Sequence, residues 1–87
     1  MLKHYTSPDF WEQFYKLPKS VQDIAKKNYE LLKANPRHPS LHFKKVKPPL
    51  WSARAGDGYR ALAIHRSGHE FEWIWIGTHA EYDLLIR

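Results

Sequence analysis

The sequence predicts an α+β fold in which an N-terminal strand and a helical hairpin pack on one face of an antiparallel β-sheet. Three observations carry this expectation. Apolar residues recur at three- and four-residue spacing as far as Asn35. After Pro39 that period gives way to short segments of extended type. Glycine-bearing turns separate the last of these segments. A chain of 87 residues holds one modest core, so the whole of 1–87 reads as a single domain.

Residues 2–6 suit a short first strand. Ser7-Pro8-Asp9 then forms a helix start, with Ser7 as N-cap, proline in the first turn and Asp9 at the positive helix end. Phe10, Trp11, Phe14, Tyr15 and Leu17 give this helix an aromatic, core-directed face, and Pro18 ends it. Ser20 and Asp23 resemble a capping box for a second helix. Val21, Ile24, Ala25, Asn28, Leu31 and Leu32 line one side of it, with Lys26, Lys27, Glu30 and Lys33 opposite. Asn35-Pro36 closes the helix, because a residue before proline is pushed out of the helical region.

Residues 41–46 form an extended segment stopped by Pro48-Pro49. Segments 50–55 and 59–66 are strands joined through Gly56-Asp57-Gly58, whose glycines permit a tight hairpin. Ser67-Gly68 turns the chain into a strand over 70–76. Alternation there puts Phe71, Trp73 and Trp75 on one face and Glu72, Ile74 and Ile76 on the other, and the apolar character of both faces at its inner end suggests a central strand. A short element over 80–86, compatible with a helix, completes the chain.

Composition limits the function classes. Hydrophobic residues make up 43% and aromatics 15%, too much core material for a disordered tail. The absence of cysteine excludes disulfides, thiolate metal sites and a cysteine nucleophile, and fits a cytoplasmic protein. Neither a membrane-length apolar run nor a signal-peptide core is present, so no membrane role is expected. His38 and His42 are four apart but Pro39 breaks the helix that would align them, and no glycine-rich phosphate loop precedes a helix. Neither a metal nor a small-molecule cofactor is expected.

The net charge is +5, and the middle third concentrates it. Residues 37–66 hold Arg37, Lys44, Lys45, Lys47, Arg54, Arg60 and Arg66 against Asp57 alone, a net +6. Such a segment attracts a polyanion through charge and counterion release, although a solvated basic face would look the same. RNA cleavage by internal attack suits these residue types: a base takes the 2′-hydroxyl proton, an acid protonates the departing 5′ oxygen, and cations stabilise the phosphorane. His79, Tyr82 and the central cations supply a titratable group, a hydroxyl or stacking group, and positive charge.

Residues 50–85 resemble the core of the RelE/ParE superfamily of type II toxins. The similarity lies in Gly58-Tyr59-Arg60 opening a strand and in the terminal Trp75-Ile76-Gly77-Thr78-His79-Ala80-Glu81-Tyr82-Asp83. The corner Gly77-Thr78-His79-Ala80 is similar to that of YafQ-like toxins, and Thr78 to Asp83 to a HigB-like segment. RelE has arginine at this corner. The resemblance implies a ribosome-dependent mRNA endonuclease that inhibits translation, with a cognate antitoxin, the ribosome and mRNA as partners. It implies catalytic roles for His79, Arg60 and Tyr82, and phosphate or RNA binding by Lys44, Lys45 and Arg54.

Structural readings stand beside each of these. Arg60 could pair with Asp57 or Glu72, Arg54 could be a structural ion pair, and Tyr82 could anchor the last element against Trp75. Lys44 and Lys45 alternate in facing, so at most one enters a site directly. His65 lies opposite Arg60 and suits a surface or core role, and His42 has no assignment. At the level of function, a ParE-like gyrase inhibitor and a non-toxic member of the fold are the alternatives.

Overall fold

A computed structural model describes residues 2–87. The elements are β1 (Lys3–Thr6), α1 (Pro8–Phe14), α2 (Lys19–Ala34), β2 (Lys44–Lys47), β3 (Leu50–Gly56), β4 (Tyr59–His65), β5 (Glu70–Thr78) and α3 (His79–Ile86), with a 3₁₀ turn at Pro39–Leu41. The expected α+β arrangement is present. The sheet, however, is mixed rather than antiparallel. Its order is β1-β5-β4-β3-β2, and β1 runs parallel to β5 while the other pairings are antiparallel. The helical hairpin carries the chain across the sheet from one edge strand to the other, which lets β1 join β5 without a tight turn.

Local chemistry sets the helices. The Ser7 hydroxyl accepts a hydrogen bond from the Phe10 N–H at 3.2 Å, satisfying an end donor of α1. α2 starts at Lys19 directly after Pro18, so Ser20 lies inside the first turn and no side chain caps this end. Asn35 leaves the helical region ahead of Pro36, as expected. On α1 only Phe14 is buried. Trp11 and Tyr15 remain 37% and 64% exposed, so the aromatic face is broader than the core it covers.

The core lies between the hairpin and the sheet, where Phe14, Ala25, Leu32 and Leu41 meet Ala53, Ala55, Ala61, Ala63, Phe71, Trp73 and Ile76. Alanines on β3 and β4 let the helices approach closely. An apolar cavity of about 80 Å³ remains there, bordered by Phe14, Leu32, Ala53, Ala61 and Ile76 among others. α2 is also tied to the sheet by the Asn28 amide, which donates to the Ala55 carbonyl at 3.0 Å.

β5 departs from simple alternation. Trp73 pairs with Ala63 and Trp75 with Leu62, so Ile74 is an extra residue in the ladder. This bulge inverts the faces beyond it: Ile76 joins Phe71 and Trp73 in the core, and Trp75 turns to the opposite face with Leu62. The expected grouping of Phe71, Trp73 and Trp75 therefore fails at its third member. The strand is interior, flanked by β1 and β4, as its apolar character suggested.

At the sheet's edge His4 faces the core. Its Nδ1 accepts the Trp73 indole N–H at 3.0 Å, while its buried Nε2 has no partner. Burial, reinforced by the charge of Lys33, holds this imidazole below its usual pKa.

Candidate functional site

The sheet face turned away from the hairpin is only partly covered. α3 crosses one end of it and leaves a depression of about 490 Å³, lined by His42, Lys44, Lys45, Val46, Ser52, Arg60, His79, Tyr82 and Ile86. Each side chain arrives through a separate piece of local chemistry. The β3–β4 turn uses Gly58 at φ +77°, a left-handed conformation that glycine adopts without strain. The Gly58 carbonyl then accepts the His79 backbone N–H at 2.8 Å, which fastens the start of α3 to this turn. β4 begins there, and Arg60 stands opposite Gly77 in the β4–β5 ladder. Arg60 Nη1 donates to the Tyr59 carbonyl at 2.8 Å.

A reciprocal capping box begins α3. The Thr78 hydroxyl accepts from the Glu81 N–H, and the Glu81 carboxylate accepts from the Thr78 N–H at 2.9 Å. The Thr78 backbone N–H, and with it the Thr78 hydroxyl donating to the same carboxylate, hold the Glu81 carboxyl below the usual carboxylate range. His79 is therefore the first residue of α3, at the positive end of the helix dipole. Its Nδ1 lies 3.1 Å from Asp83 Oδ2, one turn further on. With Nδ1–H donating to that carboxylate, Nε2 carries the lone pair and can accept a proton. The side chain is 45% exposed, so a substrate can reach it.

Tyr82 borders the depression yet is only 6% exposed, and its hydroxyl donates to the Ser52 Oγ at 3.0 Å. Its ring stands edge-on to the His79 imidazole, with centroids 5.8 Å apart and planes at 79°. Lys44 pairs with Ser52 across the β2–β3 ladder and shares its face, whereas Lys45 pairs with Trp51 and shares the helix-facing side. Both border the depression, but only Lys44 has the register to face Arg60.

Arg54 does not line this depression. It stands opposite Arg60 in the β3–β4 ladder, and its Nη2 lies 3.1 Å from Asp57 Oδ1, so Arg54 takes the Asp57 pairing considered for Arg60. Glu72 is likewise taken by Arg66, whose Nε donates to it at 3.0 Å. His65 stacks on Phe71 at 4.8 Å and its Nε2–H donates to the Gly68 carbonyl, a structural role on the other side of the sheet. Among the described residues, no group of three acidic, histidine or cysteine side chains is placed to hold a metal ion.

Sequence reading left three contributors without a role. His42 ends the 3₁₀ turn in the left-handed conformation, φ 48°, and borders the depression. Asp83 was recoverable, since residues four apart on a helix are neighbours. Ser52 was not, because its partner Tyr82 lies 30 residues away.

No protein-family model matches this sequence, and no curated protein matches it. Solved structures do resemble it. The archaeal RelE of a RelE–RelB complex from Pyrococcus horikoshii OT3 superposes with a TM-score of 0.69 at 14% identity, covering 88% of this chain and 93% of that one. YafQ from E. coli strain BL21(DE3) gives 0.68 at 13% identity over 94% of this chain and 98% of that one. A YoeB/ParE toxin from Agrobacterium tumefaciens gives 0.65 at 16% identity over 90% and 99%. The chain thus has the RelE/ParE toxin fold over nearly its full described length. A shared fold does not by itself fix the activity.

Proposed function

From this fold, we propose that the chain is the toxin of a type II toxin–antitoxin pair and acts as a ribosome-dependent mRNA endonuclease. The observation that carries the reading is the depression in which Lys44, Arg60, His42 and His79 converge. His79 Nε2 takes the proton of a ribose 2′-hydroxyl, with Asp83 balancing the imidazolium that forms. The 2′ oxygen bonds to phosphorus and the bond to the 5′ oxygen breaks. That oxygen receives its proton from His42 or water, leaving a 2′,3′-cyclic phosphate and a free 5′ hydroxyl. Arg60 and Lys44 bear the charge of the phosphorane. A gyrase-binding protein has no use for a histidine–carboxylate pair between cations, which favours the nuclease over the ParE-like alternative.

The site is shallow and open, so a substrate held by a larger partner suits it better than free RNA. The ribosome would supply that orientation in the cytoplasm, and an antitoxin would cover the basic face with acidic residues and use exposed Trp11, Tyr15, Leu84 or Leu85 as apolar anchors. Purified protein should cut mRNA in translating ribosomes and scarcely cut naked RNA. Intact message together with inhibited gyrase supercoiling would transfer the reading to the gyrase inhibitor. Expression without an antitoxin should slow growth, and unaffected growth at confirmed folded expression would count against a toxin of either kind.

A further inference from the structure

We infer that the Ser52–Tyr82 hydrogen bond sets the position of His79, making Ser52 and Tyr82 positioning residues of the cleavage site; the catalytic part of this inference rests on the nuclease reading above. Ser52 is the one buried polar side chain among the described residues, 2% exposed in the middle of β3. A hydroxyl in such a place needs a partner, and Tyr82 provides it at 3.0 Å.

α3 has few other attachments. Its capping box and the His79–Gly58 backbone bond fix where the helix starts. Both act on its first turn, and further along Leu84 and Leu85 are 61% and 52% exposed and give no apolar anchor. Beyond the capping box, the Tyr82 hydroxyl ties α3 to β3 by a side-chain hydrogen bond. His79 and Tyr82 are three residues apart and so share a helix face, and their rings are in edge contact. Any rotation that broke the Tyr82–Ser52 bond would carry the imidazole away from Arg60 and Lys44. The Tyr82 hydroxyl, buried and donating to Ser52, holds the helix instead of reacting with RNA.

The direct alternative, Tyr82 acting on RNA through its hydroxyl, makes a different prediction about Ser52. Single-turnover cleavage on saturating ribosomes should be measured for Tyr82→Phe, Ser52→Ala and the double variant. Positioning predicts that both single variants slow cleavage by a similar factor, roughly 10- to 100-fold for a displaced catalytic group. The double variant should be no slower than either, and ribosome affinity should be unchanged. Slow Tyr82→Phe beside wild-type-like Ser52→Ala would overturn the inference in favour of a reacting tyrosine. A double variant at the wild-type rate would overturn it too. That variant removes both hydroxyls together and leaves neither stranded, so a wild-type rate in it still overturns the inference if Ser52→Ala fails to fold.

A second readout needs no activity. NMR of the free protein should show the His79 ring protons shifting in Ser52→Ala, because they sit in the ring current of Tyr82, which that variant retains. Unmoved His79 signals in folded Ser52→Ala would sink the positioning role. If wild-type protein cuts no message on ribosomes, the nuclease reading falls while the NMR result still decides whether the Ser52–Tyr82 bond positions His79.

Discussion

Replacing Gly77 by alanine tests whether the corner between β5 and α3 is as tightly built as its geometry implies. Gly77 does not occupy the left-handed region, so alanine is acceptable to the backbone. Space is the obstacle. An added Cβ would lie 2.5 and 2.9 Å from carbons of the Trp75 ring and 2.8 Å from Glu81 Oε1, all closer than real Cβ contacts allow. Glu81 can swing away at the expense of the capping box, but the Trp75 ring must move as a unit against Leu62, its cross-strand neighbour. Overpacking of this kind costs about 1–3 kcal/mol. A chain of this size loses roughly 4–8 °C of Tm per kcal/mol, so the melting temperature should fall by about 5–20 °C. Urea unfolding gives the free energy directly, and repeating it in a Trp75→Leu background isolates the clash, since a smaller side chain leaves room for the methyl. An unchanged midpoint, or the same loss in both backgrounds, would refute the steric account.

Other outcomes follow from the site and the edge strand. His79→Ala should lower single-turnover cleavage on saturating ribosomes by roughly a hundredfold or more with little change in affinity, and Arg60→Ala should also slow the chemical step. Lys27→Ala, on the outer side of α2, should cut at the wild-type rate; a His79→Ala protein doing the same would end the proposed mechanism. Lys44→Ala should weaken ribosome binding and reduce the slope of log affinity against log salt by about one, measured by binding titrations over a range of salt; an unaltered slope would remove Lys44 from phosphate contact. His4 titrates lower in the folded chain than in the unfolded one, because burial and Lys33 oppose its charge. The unfolded chain therefore binds more protons, so the stabilisation is complete above about pH 6.5 and is lost as pH falls toward the lowered folded value. Urea titrations should show a smaller loss across that window for His4→Gln, which keeps an acceptor for Trp73; an equal loss would place the acid sensitivity elsewhere.

What the sequence made legible is what short-range chemistry decides. Ser7, Pro8 and Pro18 set the limits of α1 through backbone bonds and sterics within a few residues, and Asn35-Pro36 does the same for the end of α2. The parallel β1–β5 pairing was not legible, because Lys3 meets Glu70 only through packing of the whole chain. The bulge at Ile74 was hidden for a related reason. With apolar residues on both faces of β5, alternation carries no mark of the residue at which the faces exchange.

The same distinction divides the site. A run of cations in residues 37–66 is visible in the sequence, but which of them meet is a matter of register. Lys44 shares a face with Ser52, and Arg60 lies in the adjoining strand, while Arg54 is drawn off by Asp57. Tyr82 could be read from its position near the terminal corner, yet the direction of its hydroxyl depends on Ser52. Moving β3 by one residue against its neighbours would turn Ser52 toward the helices and bring Trp51 under α3. Trp51 offers Tyr82 no hydroxyl and is far bulkier, so α3 could not settle at its present height or rotation. The ladder that seals the core on one side of the sheet therefore also aims His79 on the other, and a substitution that shifts β3 should impair the site even where it touches no residue lining it.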